Sequence, residues 1–398
     1  MEIESRISKT THFYSLLKDI PAGKTIEKLN LHDSLGRILA EDIMADIDQP
    51  PFNKSAMDGY ACRRKDLPGP LRVSGEIAAG STSGKPLMPG CCFRIFTGAP
   101  VPEEADCVIM QEHVIVNSEG NVLFVKGETK SNICYQGEDV MAGNMVIQAG
   151  TLIKPQHLSI MAAFGITAPL VLAKISVGII CSGSELVEPW EKPSEPKIRN
   201  SNASQLWSQT IQTGARAKYR GIVPDNINDL MRNMEEAIAE HEVVLVTGGA
   251  SVGDYDLMTE VLKMMGAQIL LSGLNIQPGK PIIYAKLHNK HIVGLSGNPV
   301  SSFLQFHLVV KSLILRLAGS MNFHPKILKI PLSEDIKRKK NNRQQYVPVA
   351  FTPAGFAQPV PFNGSAHISA LNRVNGFAII DEDITEVKEN QLINILML

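Results

Sequence analysis

The sequence predicts a multidomain fold of class α/β plus β, and three observations predict it. The chain has 398 residues, room for two or three domains at roughly 150 residues each. Between 174 and about 320, apolar runs alternate with helical periodicities, the pattern of a mostly parallel sheet covered on both faces in a three-layer α/β/α domain. On either side, at about 50–150 and 325–398, short apolar runs are cut by Gly and Pro, which is all-β texture. With 44% hydrophobic and 20% charged residues, the chain has the ordinary globular balance and buries large cores.

Each element follows in order. The first 45 residues predict helix with a short extended piece, divided by a turn at Pro21-Ala22-Gly23; Leu35, Ile38 and Leu39 recur at helical spacing. The β module spans 50–150, with turns at Pro68-Gly69-Pro70 and Pro89-Gly90 and apolar runs such as Cys107–Met110 and Val122–Val125. A helical connector is predicted over 151–173. Strands follow at 175–181, 218–223, 243–247, 268–271, 281–285 and 291–295. Helices are predicted at 202–213, opened by Ser201 or Asn202 and closed by Gly214; at 227–239; at 256–265; and at 300–318, behind Asn298 with Pro299 at the first helical position. His288-Asn289-Lys290-His291 reads as a hairpin turn rather than a metal site. Residues 325–398 predict strands at 327–332, 346–351, 376–380 and 391–397, with no helix.

Composition narrows the function. With 39 basic and 40 acidic residues, nothing calls for nucleic acid or an anionic membrane. Lys337-Arg338-Lys339-Lys340 reads as a solvated loop. The most apolar stretch, 165–181, is interrupted by Pro169 and Lys174 and reads as a linker plus a buried strand, not a membrane span. The N-terminus lacks a secretory pattern. Six cysteines form no CxxC pair and read as free thiols. A cytoplasmic location is expected.

The chemistry concentrates in the α/β domain, because such sheets take ligands beyond the carboxyl ends of their strands. Val243–Val246 runs directly into Thr247-Gly248-Gly249-Ala250-Ser251-Val252-Gly253. Three glycines in seven residues let backbone N–H groups converge, Thr247 and Ser251 add hydroxyls, and a helix opens near Asp256. The loop is either a ligand-free strand–helix turn or a phosphate cradle; it matches neither GxxxxGK[ST] nor GxGxxG. Asp254 and Asp256 end it, and Asp225 closes another strand. Carboxylates at neighbouring strand ends suit Mg²⁺ on phosphate oxygens, though Asp225 alone also suits a helix cap. Lys280, between two prolines in Gln277-Pro278-Gly279-Lys280-Pro281, is a candidate anion ligand. Its loop lies at the sheet edge opposite the glycine loop unless strand 281–285 runs antiparallel. Ser296-Gly297-Asn298-Pro299-Val300-Ser301 opens the last helix, as a plain cap or a second anion site. Asp58, Thr97 and Asp139 stand in rigid loops that turn chemistry alone explains.

In this order the pieces resemble the molybdopterin molybdotransferase family (MoeA type), which includes the gephyrin E domain. The resemblance runs over essentially the whole chain, through Pro51-Phe52-Asn53-Lys54-Ser55-Ala56-Met57-Asp58-Gly59-Tyr60, Thr97-Gly98-Ala99-Pro100-Val101-Pro102, Gly137-Glu138-Asp139, Ser184-Glu185-Leu186, Gly248 to Asp256, Pro278-Gly279-Lys280-Pro281 and Gly297-Asn298-Pro299-Val300-Ser301. It implies an N-terminal linker and dimerisation domain (1–48 with 140–174), an inserted β domain (49–139), an α/β molybdopterin-binding domain (175–324) and a β-barrel-like C-terminal domain (325–398). It also implies a homodimer whose site is shared between subunits.

The implied reaction inserts molybdate into adenylylated molybdopterin and releases AMP, giving molybdenum cofactor. The implied catalytic residues are Asp256, Asp225, Asp58 and Lys280. Thr97, Asp139, Gly248, Gly249, Ser251, Gly253 and Pro299 would bind the adenylylated substrate. Lys280, Ser301, Arg343 and Ser365 would hold molybdate, and Glu185, Asp225 and Asp256 would hold Mg²⁺. Transient contacts with the adenylyltransferase and with molybdoenzyme chaperones are implied as well. The chain departs from the family pattern at Gln277, where Lys is frequent, and at Ser296, where Pro is usual. It also departs along Arg343-Gln344-Gln345-Tyr346-Val347-Pro348, which lacks one carboxylate and one Arg. The alternatives to weigh are a binding or scaffold paralogue and a Mg-dependent hydrolase of a related nucleotide.

Overall fold

The computed structural model describes residues 9–23, 25–82, 84–248, 255–339, 342–362 and 364–398, without the side chains of Tyr255 and Asp256. Gly249, Ser251, Gly253 and Asp254 therefore lie outside the described residues.

The N-terminal part is less helical than its periodicity predicts. Helix α1 covers only Thr10–Lys18. Ile26–Lys28 instead pairs antiparallel with Leu170–Leu172. Ile38 and Leu39 form bridges to Leu152 and Val171, and Leu35 is half exposed. Gly36, at φ +74°, stops a helix there, and extended pairing supersedes the helical spacing. The predicted connector likewise holds a helix, α2, only over Pro155–Ala163.

The β module is built on β1 (Gly59–Cys62), β2 (Arg72–Ile77), β3 (Cys91–Ile95) and β4 (Cys107–Met110), hydrogen-bonded in the order β2-β3-β1-β4. Its inward residues, among them Ala61, Phe93, Ile95 and Val108, form a separate small core.

The α/β part runs β5 (Ser176–Ser182), α3 (Asn202–Gln212), β6 (Arg216–Val223), α4 (Ile227–Glu240), β7 (Val243–Thr247), α5 (Tyr255–Met264), β8 (Gln268–Ser272), β9 (Ile276–Gln277), β10 (Ile283–Leu287), β11 (Lys290–Leu295), α6 (Pro299–Gln305) and α7 (Lys311–Leu317). The sheet order is β6-β5-β7-β11-β10-β8. Residues of β7 alternate between two cores. Val243 and Leu245 pack with α1, α3, α6 and α7, whereas Val244 and Val246 pack with α4 and α5. A strand buried on both faces needs the near-continuous apolar run that this one has.

Two features depart from the expected plan. Strand β10 is antiparallel to both β8 and β11, which turns the loop before it to the edge where β7 and β11 end. The predicted helix 300–318 contains a π-helical segment, Phe306–Val310, between α6 and α7. The stretch Pro299–Leu317 is long and apolar enough to cross a membrane, yet 78% of it is buried within the fold, as a core helix is.

The C-terminal sheet orders β9-β13-β14-β15-β12, where β12 is Ile327–Pro331, β13 Gln344–Phe351, β14 Gly376–Ile380 and β15 Leu392–Met397. A 3-10 helix, Ile368–Arg373, occurs where none is predicted. The short β9 leaves the α/β part to pair parallel with β13, setting Ile276 beside Gln344 and Gln277 beside Gln345. This stitch brings the third and fourth parts of the sequence to one place.

Candidate active site

Three loops leave the carboxyl ends of β5, β7 and β11 side by side. Gly248 follows β7 at φ +96°, and a Cβ there would stand 1.7 Å from the Ser182 carbonyl oxygen. Only glycine fits this approach. Thr247, expected as a phosphate donor, is instead structural. Its hydroxyl donates to the Ser296 carbonyl (3.0 Å) and accepts from Asn202 Nδ2 (3.1 Å). Asn202 Nδ2 also donates to the Gly297 carbonyl at 2.8 Å, so one buried amide ties two loops together. This use explains why neither Ser201 nor Asn202 makes a side-chain cap on α3.

Asp225 does not cap α4; Asn226 does, accepting from the Asp229 amide. The Asp225 carboxylate reaches back to the β5 loop, where Oδ1 accepts from Ser182 Oγ (2.6 Å) and Oδ2 from the Ser184 amide (2.9 Å). Glu185, exposed, is the next residue of that loop. The α5 backbone starts at Tyr255, which puts Asp256 in its first turn; its side chain lies outside the described residues.

Because β10 is antiparallel, the Pro278–Pro281 loop joins this edge. Lys280, Ser301, Arg343 and Ser365 line one cavity of about 310 Å³, together with Gln277, Ser296 and Gln345. The four predicted oxyanion residues come from four separate stretches of chain. Lys280 is exposed and Ser301 is buried. Arg338 holds the backbone of one lining residue, Arg343. It donates to the Arg343, Ile384 and Asp381 carbonyls, so part of the predicted solvated run is a structural clamp. The N-terminus of α6 is not an open anion site. The Val300 amide is taken by the Ser365 carbonyl at 3.0 Å, and Asn298 makes no side-chain cap. Pro299 fills the first helical position.

Gln305 carries no motif and was not foreseen. Fully buried at the end of α6, it accepts from the Ser296 amide through Oε1 (2.9 Å). Its Nε2 donates to the carbonyls of Gly279 (2.8 Å) and Pro281 (2.5 Å). One side chain thus fixes both loops that frame the cavity. Nothing in the sequence marks it, since it shares its buried helical face with Ser301 and Ser302 as well as with apolar residues.

Asp58 and Thr97 meet within the β module. The Thr97 amide (2.8 Å) and hydroxyl (2.7 Å) both donate to Asp58 Oδ1. These two bonds, with a smaller effect from Arg94, hold the Asp58 carboxyl below its usual value. Asp139 is exposed, and its amide donates to Gln49. None of Asp58, Thr97 and Asp139 lines the cavity.

A mostly parallel sheet covered on both faces, with a cavity at its carboxyl edge lined by Lys280, Arg343, Ser301 and Ser365, defines an α/β protein with a ligand-sized site. Comparison with known proteins specifies the class. Residues 4–165 match the MoeA N-terminal region (domain I and II), residues 178–316 the probable molybdopterin binding domain, and residues 329–398 the MoeA C-terminal region (domain IV). The chain is 33% identical over 408 residues to a molybdopterin molybdenumtransferase of Staphylococcus epidermidis, covering 100% of this chain and 97% of that one. It is 32% identical to the Staphylococcus aureus (strain COL) protein of the same name, over 92% and 90% of the two chains. The molybdopterin biosynthesis moeA protein of Pyrococcus horikoshii OT3 superposes with a TM-score of 0.84 at 30% identity, covering 99% of this chain and 100% of that one. The chain belongs to the MoeA family.

Proposed function

We propose that the chain inserts molybdate into adenylylated molybdopterin and releases AMP, giving molybdenum cofactor. The observation that carries this reading is the cavity where Lys280, Ser301, Arg343 and Ser365 converge beside the β7 loop. Two cations and two hydroxyls suit a tetrahedral oxyanion, since charge-assisted donors are the strong ones. Gln277 supplies a neutral amide there, so the hold on molybdate rests on fewer charges. Full-length family membership favours this enzyme over a scaffold or a nucleotide hydrolase.

In this reading the loop from Gly248 through Gly249, Ser251 and Gly253 grips the substrate's phosphates, with Pro299 at its border. Mg²⁺ fits the donor set. Each oxygen of Asp225 carries one hydrogen bond, which leaves lone pairs for a hard, oxygen-seeking cation. Glu185 and Asp256 would complete the ligands. When bound, the ion neutralises charge on the phosphoanhydride as it is cleaved. Lys280 orients molybdate against the substrate and screens its charge.

We further propose the fourfold domain division given above and a cytoplasmic location, which six free thiols support. We also propose a homodimer in which Asp58, Thr97 and Asp139 of one subunit complete the site of the other, as the family resemblance implies; their absence from the cavity lining of their own chain supports it. Transient contacts with the adenylyltransferase and with molybdoenzyme chaperones belong to the same reading.

The test is turnover of adenylylated molybdopterin with Mg²⁺, with and without molybdate, following AMP and molybdenum cofactor. Molybdate-dependent AMP release is expected. Release indifferent to molybdate would instead make the chain a nucleotide hydrolase.

A further inference from the structure

A second cavity, of about 420 Å³, opens at the other end of the sheet, under the beginning of β11. His291, the second residue of β11, lines it at 3% exposure. Four residues later, the same strand ends at Leu295 and hands on to Ser296 in the oxyanion cavity, so the two cavities are separate. The His291 ring is held by Tyr284, whose hydroxyl lies 3.0 Å from Nδ1 with the two rings nearly coplanar in orientation at 4°. The only hydrogen bond of the ring among the described residues is this one at Nδ1. Burial, with the Lys286 charge adding to it, pushes the imidazole down to about 4, so the ring is neutral near pH 7. The buried Tyr284 hydroxyl has no other acceptor among the described residues. It donates to Nδ1, and the ring's own proton therefore sits on Nε2, facing the cavity.

Charge around this donor is positive. Lys286 is the direct cross-strand partner of His291, and Lys174 lines the cavity from the linker. Neither ammonium has a partner among the described residues. The one carboxylate present, Glu242, is already occupied by the Ser176 amide and hydroxyl and lies in the field of Lys290. Ile20 and Leu317 supply an apolar wall.

We infer that this cavity binds a small organic anion, with its charged oxygens on His291 Nε2–H, Lys174 and Lys286 and its apolar body against Ile20 and Leu317. A volume of this size suits a small metabolite. A donor on a cavity wall that has no protein partner is available to the acceptor of a ligand. The headgroup is a phosphate monoester or a carboxylate, which present the same anionic oxygens.

Calorimetric titration of the full chain with phenyl phosphate and with benzoate tests the site. At least one probe is expected to saturate at one site per chain, and the better binder identifies the headgroup. The double variant Lys174→Ala/Lys286→Ala is expected to weaken that probe at least tenfold. Lys280→Ala, which disables the oxyanion cavity, is expected to leave it unchanged. No saturable heat from either probe would overturn the assignment. So would binding that survives the double variant, or binding lost with Lys280→Ala.

Discussion

At residue scale, Gly248 is the position where chemistry leaves no choice. Its positive φ and a 1.7 Å approach of any Cβ to a backbone carbonyl mean that no rotamer relieves the clash. Gly248→Ala is expected to destabilise the fold by about 3 kcal/mol, measured by urea denaturation, because strain and a backbone shift add. A loss below about 1 kcal/mol would show that the loop after β7 yields easily. The Asp58–Thr97 pair makes a prediction in pH. Two donors from Thr97 hold the Asp58 carboxyl below its ordinary value. The sign follows: stabilisation is present above the unfolded value and is lost as pH falls through the lower folded value. The stability gap between wild type and Asp58→Ala is therefore expected to be flat from about pH 5 to 7 and to narrow below about pH 4. A gap unchanged in acid would remove the charged hydrogen bonds from the account. The special places of Gly248 and Lys280 were legible because glycine clusters and proline-flanked cations are rare. Gln305 and Asn202 were not, since a buried amide that serves backbone groups leaves no pattern in a sequence.

At the scale of elements, strand direction decides the site. Periodicity reports that 281–285 is buried and extended, but it carries no sign for direction, so the edge on which Lys280 emerges was open until β10 proved antiparallel to its neighbours. The helix after Asn298 was equally legible in extent and not in detail, because a π segment keeps the same apolar face. The N-terminal misreading has the opposite cause. There, long-range pairing of Ile38 and Leu39 overrides a local helical spacing. The element that holds the cavity together is α6, through Gln305. Gln305→Leu would leave the Ser296 amide and the Gly279 and Pro281 carbonyls enclosed without partners. An expected cost of about 3 kcal/mol or more follows from three unmet groups at roughly 1–3 kcal/mol each. Because both cavity loops loosen together, the molybdate concentration for half-maximal turnover should rise about tenfold, or roughly 1.4 kcal/mol of lost oxyanion binding. Denaturation and kinetics at varied molybdate check the two halves separately. A stability loss with an unchanged molybdate requirement would make Gln305 a core residue and nothing more.

At the scale of the whole molecule, the separation of Asp58 and Thr97 from the cavity asks where their partner site lies. The β module has its own core, and its Asp58–Thr97 pair is preorganised by hydrogen bonds that do not involve the α/β part. A residue held ready in this way, yet absent from the lining of the cavity in its own chain, fits a site completed by a second copy. Twofold symmetry makes the prediction quantitative. Asp58→Ala and Lys280→Ala subunits are each expected to be inactive as homodimers. In a mixed dimer, one site takes Asp58 from the intact β module of one subunit and Lys280 from the intact cavity of the other, while the second site carries both defects. If subunits exchange at random, half the dimers are mixed, and each of these has one working site in two. Mixing the two inactive variants should therefore restore roughly a quarter of wild-type turnover. The value should fall with covalent crosslinking of the homodimers before mixing. Sedimentation of the wild type as a dimer is the accompanying expectation. Activity that stays at the level of the separate variants, in a preparation shown by mass spectrometry to contain mixed dimers, would place Asp58 and Lys280 in the same subunit's site.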